Sequence, residues 1–428
     1  MKIAIVHYHL NPGGVTRIIE MQLAALSKRR EITQIQLFAG APAENLKLPP
    51  GTEFICNPDM NYLDGNALSE KEIDQKHNRL IDFFLDTTTA DTVIHAHNLN
   101  LGKNPVLTAA LGNLVSGGRQ MVNHIHDFAE DRPANIAALE NLIEKHFGRR
   151  LRDIMYPVRE NCRYAVLNSF YVERLTRLAI PPDRISLLPN PVSVETISKH
   201  RQKAEAQAKV RRLLKINPEL PNYVYPVRGI RRKNLGEFIL LASLFKDRAN
   251  WIITLPPLNP VEKVEYDKWK EFCAAKKIPV IFEAGEKCAF KEIMGSADRA
   301  VTTSIREGFG MAFLEAWLFG IPVVGRDLPV TRDFRAAGIK LDGLYEKLAT
   351  PEMEDFALLN QPAQMAFIKE LSANPEVQRE FIAANPQLQG VTANFSREII
   401  TENRKLIRQQ YSIENYGEKL LEIYKTLV

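Results

Sequence analysis

Short apolar, β-rich runs alternate with longer helical patterns along most of the chain, and this alternation restricts the possible folds more than any other feature. The first run covers Lys2–Tyr8, and the first helical pattern covers Val15–Arg29. Parallel strands need long crossover connections, which are usually helices, so this order predicts a parallel sheet with helices on its faces. The same pattern predicts further strands at Thr33–Phe38, Thr92–Ala96, Arg119–Ile125 and Tyr164–Asn168, and helices at Glu70–Asp86, Pro105–Val115, Ala137–Arg149 and Phe170–Leu178.

The segment Leu187–Val192, LLPNPV, interrupts both periodicities with two prolines, and the alternation then restarts. At 428 residues the chain is also too long for one ordinary domain. We therefore predict an α/β protein with two doubly wound, Rossmann-like domains, residues 1–191 and 192–405, followed by a closing helix at 406–428. Residues 200–214 are predicted to form a solvated helix. Strands of the second domain are predicted at Tyr223–Val227, Trp251–Leu255, Val280–Glu283, Ala300–Thr303 and Pro322–Gly325.

Composition narrows the class of protein. The 56 Lys and Arg residues exceed the 51 Asp and Glu residues by 5, a mild excess that suits anionic small molecules and does not indicate nucleic acid. The 4 cysteines are scattered and form no Cys-x-x-Cys pair, which argues against a zinc site and a disulfide scaffold and favours a reducing cytoplasm. No apolar stretch reaches the roughly 18 residues that a membrane span requires. The opening residues read as a first strand and a glycine turn, not as a secretory signal.

The segment Ser304–Glu315 carries the most specific pattern, EGFGMAFLE from Glu307 to Glu315, between a predicted strand and an apolar helix. Gly308 and Gly310 at the expected helix start would let backbone N–H groups approach a diphosphate closely. Glu307, expected on the loop, could reach sugar hydroxyls, while Glu315 could bind a cis-diol such as a ribose. On spacing alone, a loop glutamate and an exposed helical glutamate remain an alternative.

This segment resembles the retaining glycosyltransferases of the GT-B fold, family 4, whose pattern is Glu-x7-Glu within E-G-F-G-x-x-x-L-E-A. The resemblance implies two Rossmann-like domains facing a cleft, with a C-terminal helix that crosses back to the first domain. It also implies that Glu307 contacts the donor sugar and Glu315 the ribose. The backbone of Gly308, Phe309, Gly310 and Met311 would contact the sugar and the phosphates. The resemblance is poor between residues 342 and 390, for which no role is predicted.

A basic turn, VRGIRRKNL at Val227–Leu235, follows the first predicted strand of the second domain. Arg228 and Lys233 could neutralise the charge that builds on a departing nucleoside diphosphate. Taken alone, such a cluster can also be a solvated basic turn. The resemblance implies that these two residues bind the donor phosphates; Arg231 and Arg232 receive no role.

The first domain offers weaker signals. Gly13 and Gly14 lie between its first strand and first helix but do not fit the dinucleotide fingerprint G-x-G-x-x-G, so a nicotinamide cofactor has poor support. The resemblance places this glycine pair near the donor phosphate, with Arg17 a weaker candidate on the acceptor side. It also implies that His126 with Asp127, or alternatively His124, lies at the reacting centre. His97 and Asn98 are possible acceptor-side residues, whereas His95 is at least as well explained by core packing.

Together with these features, the resemblance implies transfer of a hexose from a nucleoside diphosphate sugar of the UDP-glucose or GDP-mannose type to a hydroxyl of a small soluble acceptor. Retention at the anomeric carbon is implied by the resemblance alone. No cofactor and no metal are expected, because Arg228 and Lys233 can supply the positive charge and no Asp-x-Asp stands at a strand end. The alternatives are a nucleotide-sugar 2-epimerase of the same fold and a transferase acting on a lipid at a membrane surface. No nucleic-acid partner is expected, and the predicted location is the cytoplasm.

Overall fold

The computed structural model describes residues 1–41, 46, 48–63, 68–193 and 203–428. The chain forms two compact units. One contains residues 1–193 and 411–428, and the other contains residues 194–410, described from residue 203 onwards. The first three residues of the helix predicted at 200–214 lie outside the described residues.

The described part of the first unit contains a sheet of seven parallel strands in the order β3-β2-β1-β4-β5-β6-β7. The order reverses beside β1, which gives the doubly wound arrangement. Helices cover both faces of its central strands, and all six residues of β4 are buried although they include Thr92, His95 and His97. The strands are β1 (Lys2–Val6), β2 (Gln34–Ala39), β3 (Thr52–Cys56), β4 (Thr92–His97), β5 (Met121–Ile125), β6 (Cys162–Val166) and β7 (Ile185–Leu187).

Several helices of the first unit begin at side-chain caps. Ser69 and Glu72 form a reciprocal capping box, and Asn104 caps the helix that begins at Pro105. The helix predicted at Ala137–Arg149 is present with other bounds: an α-helix begins at Pro133 and continues as a π-helix over Glu140–His146. Proline at the first helical position explains the earlier start. The α-helices are α1 (Gly14–Leu26), α2 (Glu70–Thr87), α3 (Pro105–Ser116), α4 (Pro133–Leu139), α5 (Leu151–Met155) and α6 (Ser169–Arg177).

The described part of the second unit contains a sheet of six parallel strands in the order β10-β9-β8-β11-β12-β13. Its order also reverses once, beside β8. The strand predicted at Val280–Glu283 ends sooner because Glu283 has a left-handed backbone, with φ of 58°. The strands are β8 (Asn222–Arg228), β9 (Asn250–Leu255), β10 (Val280–Ile281), β11 (Arg299–Thr302), β12 (Val323–Arg326) and β13 (Leu344–Tyr345).

The region between residues 342 and 390 is part of the second unit's core. Ile368, Leu371, Phe381 and Leu388 are buried in the same cluster as Trp251 of β9. The segment therefore completes a domain instead of linking two. The α-helices of this unit are α7 (Lys203–Leu214), α8 (Leu235–Leu244), α9 (Pro260–Lys276), α10 (Phe290–Ser296), α11 (Ala312–Leu318), α12 (Thr331–Ala336), α13 (Gln361–Ala373), α14 (Pro375–Ala384), α15 (Gln389–Thr392) and α16 (Arg397–Gln410).

The chain returns to the first unit through α17 (Ile413–Lys425). The break between α16 and α17 lies at residues 411 and 412, so the closing segment begins later than the predicted residue 406. Ser412 explains the new start because its side chain accepts a hydrogen bond from the Asn415 backbone N–H. Helix α17 packs on α1, with Leu420 and Tyr424 buried. Among the described helices, none combines the length and apolarity needed to cross a membrane.

Candidate functional site

The basic loop of the second unit is anchored to two neighbouring strands. Strand β8 ends at Arg228, and a 3-10 turn at Arg231–Lys233 leads into α8. The carbonyl of Lys233 accepts hydrogen bonds from the Tyr225 hydroxyl and, at 2.9 Å, from the Thr303 hydroxyl. The loop is thereby fixed at the carboxyl ends of β8 and β11, where the strand order reverses and ligands of doubly wound folds bind.

Lys233 and Glu307, two of the predicted site residues, form a direct ion pair between Nζ and Oε1. Their side chains are only 10% and 11% exposed, so the pair is largely withdrawn from water. Burial lowers the pKa of Lys233, and the nearby carboxylate of Glu307 opposes that shift. Arg232, which received no role from the sequence, lies with Nη1 3.3 Å from Oε2 of the same glutamate.

Arg228 is half-buried in the same loop. Its Nη1 donates a hydrogen bond of 3.0 Å to the carbonyl of Pro256, which follows β9. This bond directs the guanidinium along the sheet edge, so both predicted phosphate-binding cations lie at the carboxyl ends of the strands.

The glycine loop precedes its helix instead of starting it. Helix α11 begins at Ala312, so Glu307 to Gly310 all lie on the loop, while Glu315 stands in the first turn of the helix. Gly310 has φ of 85°, a conformation that favours glycine. The ring of Phe309 is buried against Phe334, with centroids 5.4 Å apart, so its side chain serves the core and only its backbone is available to a ligand.

A buried charge network, which the sequence did not predict, supports the same loop. Glu237 of α8 pairs with Arg326 at the end of β12, and Arg326 also pairs with Asp355. Glu237 accepts hydrogen bonds from the Tyr345 hydroxyl and from the side chain of Asn234, the residue after Lys233. The network therefore connects the position of the basic loop to β12 and β13.

In the first unit, Gly13 and Gly14 are exposed at the start of α1. Gly13 is the N-cap and offers no side-chain hydrogen bond to the helix. A Cβ added to Gly14 would meet no described atom within 4 Å, so packing against the described residues does not require glycine there. Arg17 is exposed one turn later, and its backbone N–H donates to the Gly13 carbonyl.

Four histidines lie together at the carboxyl ends of β4 and β5, all of them buried. His97 Nδ1 lies 2.9 Å from His126 Nε2, and His95 Nε2 lies 3.1 Å from His124 Nδ1. Two further side chains complete the group: Gln22 of α1 contacts His97, and Tyr424 of α17 contacts His95. We call these six residues the histidine network. Sequence reasoning missed Gln22 and Tyr424, which carry no local motif.

Burial dominates the acid–base chemistry of this network. It lowers the pKa of His95 to about 3 and holds the pKa values of His97, His124 and His126 well below the ordinary value of 6.5. The four imidazoles are therefore neutral near pH 7. Nitrogen atoms of His95, His97 and His124 lie within 4.8 Å of one another, close enough to be considered as metal ligands.

Asn98 and Asp127 have roles beside this network. Asn98 has φ of 58°, and its Oδ1 accepts hydrogen bonds from the backbone N–H groups of His126 and Asp127 at 2.8 and 3.1 Å. Asn98 thus holds the turn that carries His126. Asp127 forms an ion pair of 3.1 Å with Arg132.

A known protein family matches part of the second unit. Residues 206–347, which include the basic loop and the glycine loop, match the family described as glycosyl transferases group 1. The chain is 28% identical over 358 residues to a mannosylglucosyl-3-phosphoglycerate synthase of Petrotoga mobilis, a match that covers 80% of this chain and 68% of the relative.

Solved structures show the fold. Sucrose-phosphate synthase from Thermosynechococcus elongatus matches with a TM-score of 0.63 at 15% identity, covering 100% of this chain and 98% of that one. HepE of Anabaena, solved in complex with UDP-glucose, matches with a TM-score of 0.61 at 14% identity and covers both chains fully, at 100% each. A glycosyltransferase from Rickettsia africae gives 0.65 at 13% identity, covering 99% and 97%. The two parallel sheets with their helices have the fold of GT-B glycosyltransferases.

Proposed function

This chain is a glycosyltransferase of the group 1 type, and we propose that it transfers a hexosyl group, with retention, from a nucleoside diphosphate sugar to a small phosphorylated acceptor. The observation that carries the proposal is the Lys233–Glu307 pair, in which an ammonium and a carboxylate lie together at the point where the strand order reverses.

The donor diphosphate binds at the basic loop. In the transfer, the bond between the anomeric carbon and the phosphate oxygen breaks, and negative charge builds on the leaving diphosphate. Arg228 and Lys233 are fixed cations on that loop, and fixed cations stabilise developing charge without reorganising at the moment of reaction. Positive charge from these side chains makes a divalent metal unnecessary for departure of the leaving group.

Glu307 binds the hydroxyls of the donor sugar, and Lys233 exchanges partners when the donor arrives. Without donor, the ammonium of Lys233 neutralises Glu307. The phosphate takes over that ammonium, which leaves Glu307 held by Arg232 and free to accept hydrogen bonds from sugar hydroxyls. Glu315 binds the ribose, and the backbone from Gly308 to Met311 contacts the sugar and the phosphates.

The acceptor is a small molecule with phosphate or carboxylate groups. The relative from Petrotoga mobilis is named for a product that contains 3-phosphoglycerate, and the match to it covers 80% of this chain. We therefore propose glucosyl-3-phosphoglycerate or 3-phosphoglycerate as the acceptor, with GDP-mannose and UDP-glucose as the first donors to test. The acceptor proton passes to a phosphate oxygen of the leaving group, while the acceptor oxygen forms the new bond on the same face of the sugar.

A matrix of donors and acceptors tests this function. Purified protein is incubated with UDP-, GDP- and ADP-sugars in the presence and absence of each acceptor, and the products are identified by mass spectrometry. We expect nucleoside diphosphate and a hexosylated acceptor to form in equal amounts, unchanged by EDTA. The anomeric coupling constant of the product, measured by NMR, reports retention.

The same matrix distinguishes the alternatives. Conversion of a donor without any acceptor would indicate a 2-epimerase. Transfer to lipid acceptors in vesicles, with none to the phosphoglycerates, would overturn the proposed acceptor class but keep the donor site. Failure of every nucleotide sugar to bind or react would overturn the proposal as a whole.

A further inference from the structure

The histidine network contains one side chain whose orientation determines the position of every proton. The amide of Gln22 lies between the two halves of the network. Its Oε1 is 2.7 Å from His97 Nε2, and its Nε2 donates a hydrogen bond of 3.0 Å to the Tyr424 hydroxyl. An amide oxygen can only accept a hydrogen bond, and an amide nitrogen can only donate one.

The proton positions on the His97 side follow from that oxygen. Because Gln22 Oε1 accepts, His97 must carry its proton on Nε2. A neutral imidazole has one N–H, so His97 Nδ1 is an acceptor. The neighbouring His126 Nε2, 2.9 Å away, must therefore be the donor. His126 is left with an unprotonated Nδ1, which has no hydrogen-bond partner among the described residues.

The protons on Tyr424, His95 and His124 can be assigned in the same way. The Tyr424 hydroxyl accepts from Gln22 and so donates its own proton to His95 Nδ1, 2.9 Å away. His95 then carries its proton on Nε2 and donates to His124 Nδ1. His124 is left with a proton on Nε2, an atom that is buried with no partner within the described parts of the chain.

We propose that Gln22 and Tyr424 are positioning residues that fix the tautomer of His126, so that His126 presents an unprotonated Nδ1 as a hydrogen-bond acceptor for a substrate hydroxyl. The role of His126 at the reacting centre rests on the proposed function, whereas the tautomer follows from the orientation of the Gln22 amide. Tyr424 lies on α17, so this late helix helps to determine which ring nitrogen of His126 carries the proton.

The network can also hold its protons in a second, reversed arrangement, and Gln22 and Tyr424 determine which of the two is populated. If the Gln22 amide turned over, every donor and acceptor in the network would reverse, and His126 would present an N–H in place of a lone pair. The Tyr424 hydroxyl can serve either arrangement because it both donates and accepts. With the hydroxyl present, the amide can turn over only if the protons of His95 and His124 move as well. Without the hydroxyl, the amide can turn over independently of these two histidines, so both tautomers of His126 become populated.

Nitrogen NMR on protein labelled with 15N-histidine tests the tautomer directly, since the two neutral tautomers give different two-bond 15N–1H patterns. We expect His95, His97 and His126 in the Nε2–H form at pH 7.5. His126 in the Nδ1–H form would overturn the proposal, and this readout does not depend on finding the substrate. About one equivalent of bound metal per chain in the purified protein, lost in the His124→Ala variant, would overturn it as well.

Tyr424→Phe removes the hydroxyl and keeps the ring. We expect a mixture of His126 tautomers and a kcat that falls in proportion to the remaining competent fraction, about tenfold for a 1:9 mixture, with little change in the donor KM. Tyr416→Phe is the matched control, because Tyr416 lies on the same helix and its buried hydroxyl has no described partner. Gln22→Met provides a second route to the same mixture should Tyr424→Phe fail to fold. Wild-type kcat together with an unmixed His126 tautomer in both variants would contradict the assigned roles.

Discussion

At the scale of single residues, the Lys233–Glu307 pair gives the sharpest prediction. Lys233→Ala removes a fixed cation from the proposed diphosphate site, and we expect kcat to fall about 100-fold or more, as for loss of one preorganised donor to developing charge. Glu307→Gln keeps the shape of the side chain but removes the charge and one acceptor, and should cost a similar factor. Turnover is measured by release of nucleoside diphosphate, and folding by circular dichroism.

Lys268→Ala is the matched control for these two variants. Lys268 also pairs with a glutamate, Glu265, but on the exposed surface of α9, where its side chain is 54% exposed. It should keep wild-type turnover. Activity equal to wild type in both Lys233→Ala and Glu307→Gln would show that the donor site lies elsewhere.

Arg232 should matter much less than Lys233 although both contact Glu307. Its side chain is 53% exposed, and an ion pair in water contributes only about 0–1 kcal/mol. In the proposed mechanism Arg232 holds Glu307 after Lys233 has turned to the phosphate, so Arg232→Ala should raise the donor KM by less than about tenfold. Steady-state kinetics with varied donor measures this effect, and a loss as large as that of Lys233→Ala would contradict the partner exchange.

Single residues also show where sequence reasoning stops. Glu307 and Lys233 could be chosen as candidates from the sequence because each lies in a local pattern with a chemical meaning. Gln22 and Tyr424 were not, because 402 positions separate them and nothing in either neighbourhood indicates a partner. Asn98 was predicted as a possible acceptor-side residue, yet its side chain holds the turn of His126, a relation that only the folded backbone creates.

At the scale of secondary-structure elements, α8, β12 and β13 are joined by the buried pair of Glu237 and Arg326. Glu237→Leu leaves Asp355 as the remaining described counter-ion of Arg326, beside the carbonyl of Glu346, and removes the acceptor of Tyr345. Breaking a buried pair from one side typically costs about 3–5 kcal/mol, so we expect the free energy of unfolding of the second unit to fall by that amount. Urea titration followed by tryptophan fluorescence measures this loss.

Two further variants test whether burial of the Glu237–Arg326 pair causes the loss of stability. Adding Arg326→Met to Glu237→Leu removes both charges and should recover much of the loss, because the buried cation is no longer left with a single counter-ion. Glu265→Gln, which removes an exposed pair on α9, should change the stability by less than about 0.5 kcal/mol. A loss from Glu265→Gln as large as that from Glu237→Leu would show that burial is not the cause.

The elements that were predicted from the sequence are those whose pattern follows from burial alone. Strands β1 and β4 are almost entirely buried because both faces of the sheet are covered, and their predicted bounds lie within two residues of the observed ones. Strand β3 was missed because its residues are only partly buried, and β13 because it has just two residues. The contribution of region 342–390 to the core could not be predicted from the sequence, because its helices become part of the core only by packing against residues of α8 and β9.

At the scale of the whole molecule, titratable and fluorescent residues are divided between the units. The 3 tryptophans, Trp251, Trp269 and Trp317, all belong to the second unit. Of the 9 histidines, all but His200, which lies outside the described residues, belong to the first unit. The two units therefore carry separate reporters and separate acid sensitivities.

This division predicts that acid unfolds the first unit before the second. Burial lowers the pKa of His7 to about 4 and of His95 to about 3, whereas both titrate near 6.5 in the unfolded chain. Between pH 6.5 and about 4 the unfolded state therefore binds more protons than the folded state, and stability falls as the pH falls. Each such histidine contributes about 1.4 kcal/mol per pH unit, and the other buried histidines of the network add to the slope in the same direction.

Urea titrations at pH 7.5, 6.0 and 5.0, followed in parallel by far-ultraviolet circular dichroism and tryptophan fluorescence, test this prediction. They should show an early dichroism transition that moves to lower urea concentration as the pH falls, while the fluorescence transition moves less. Coincident transitions at all three pH values would mean that the buried histidines do not control the acid stability of the first unit.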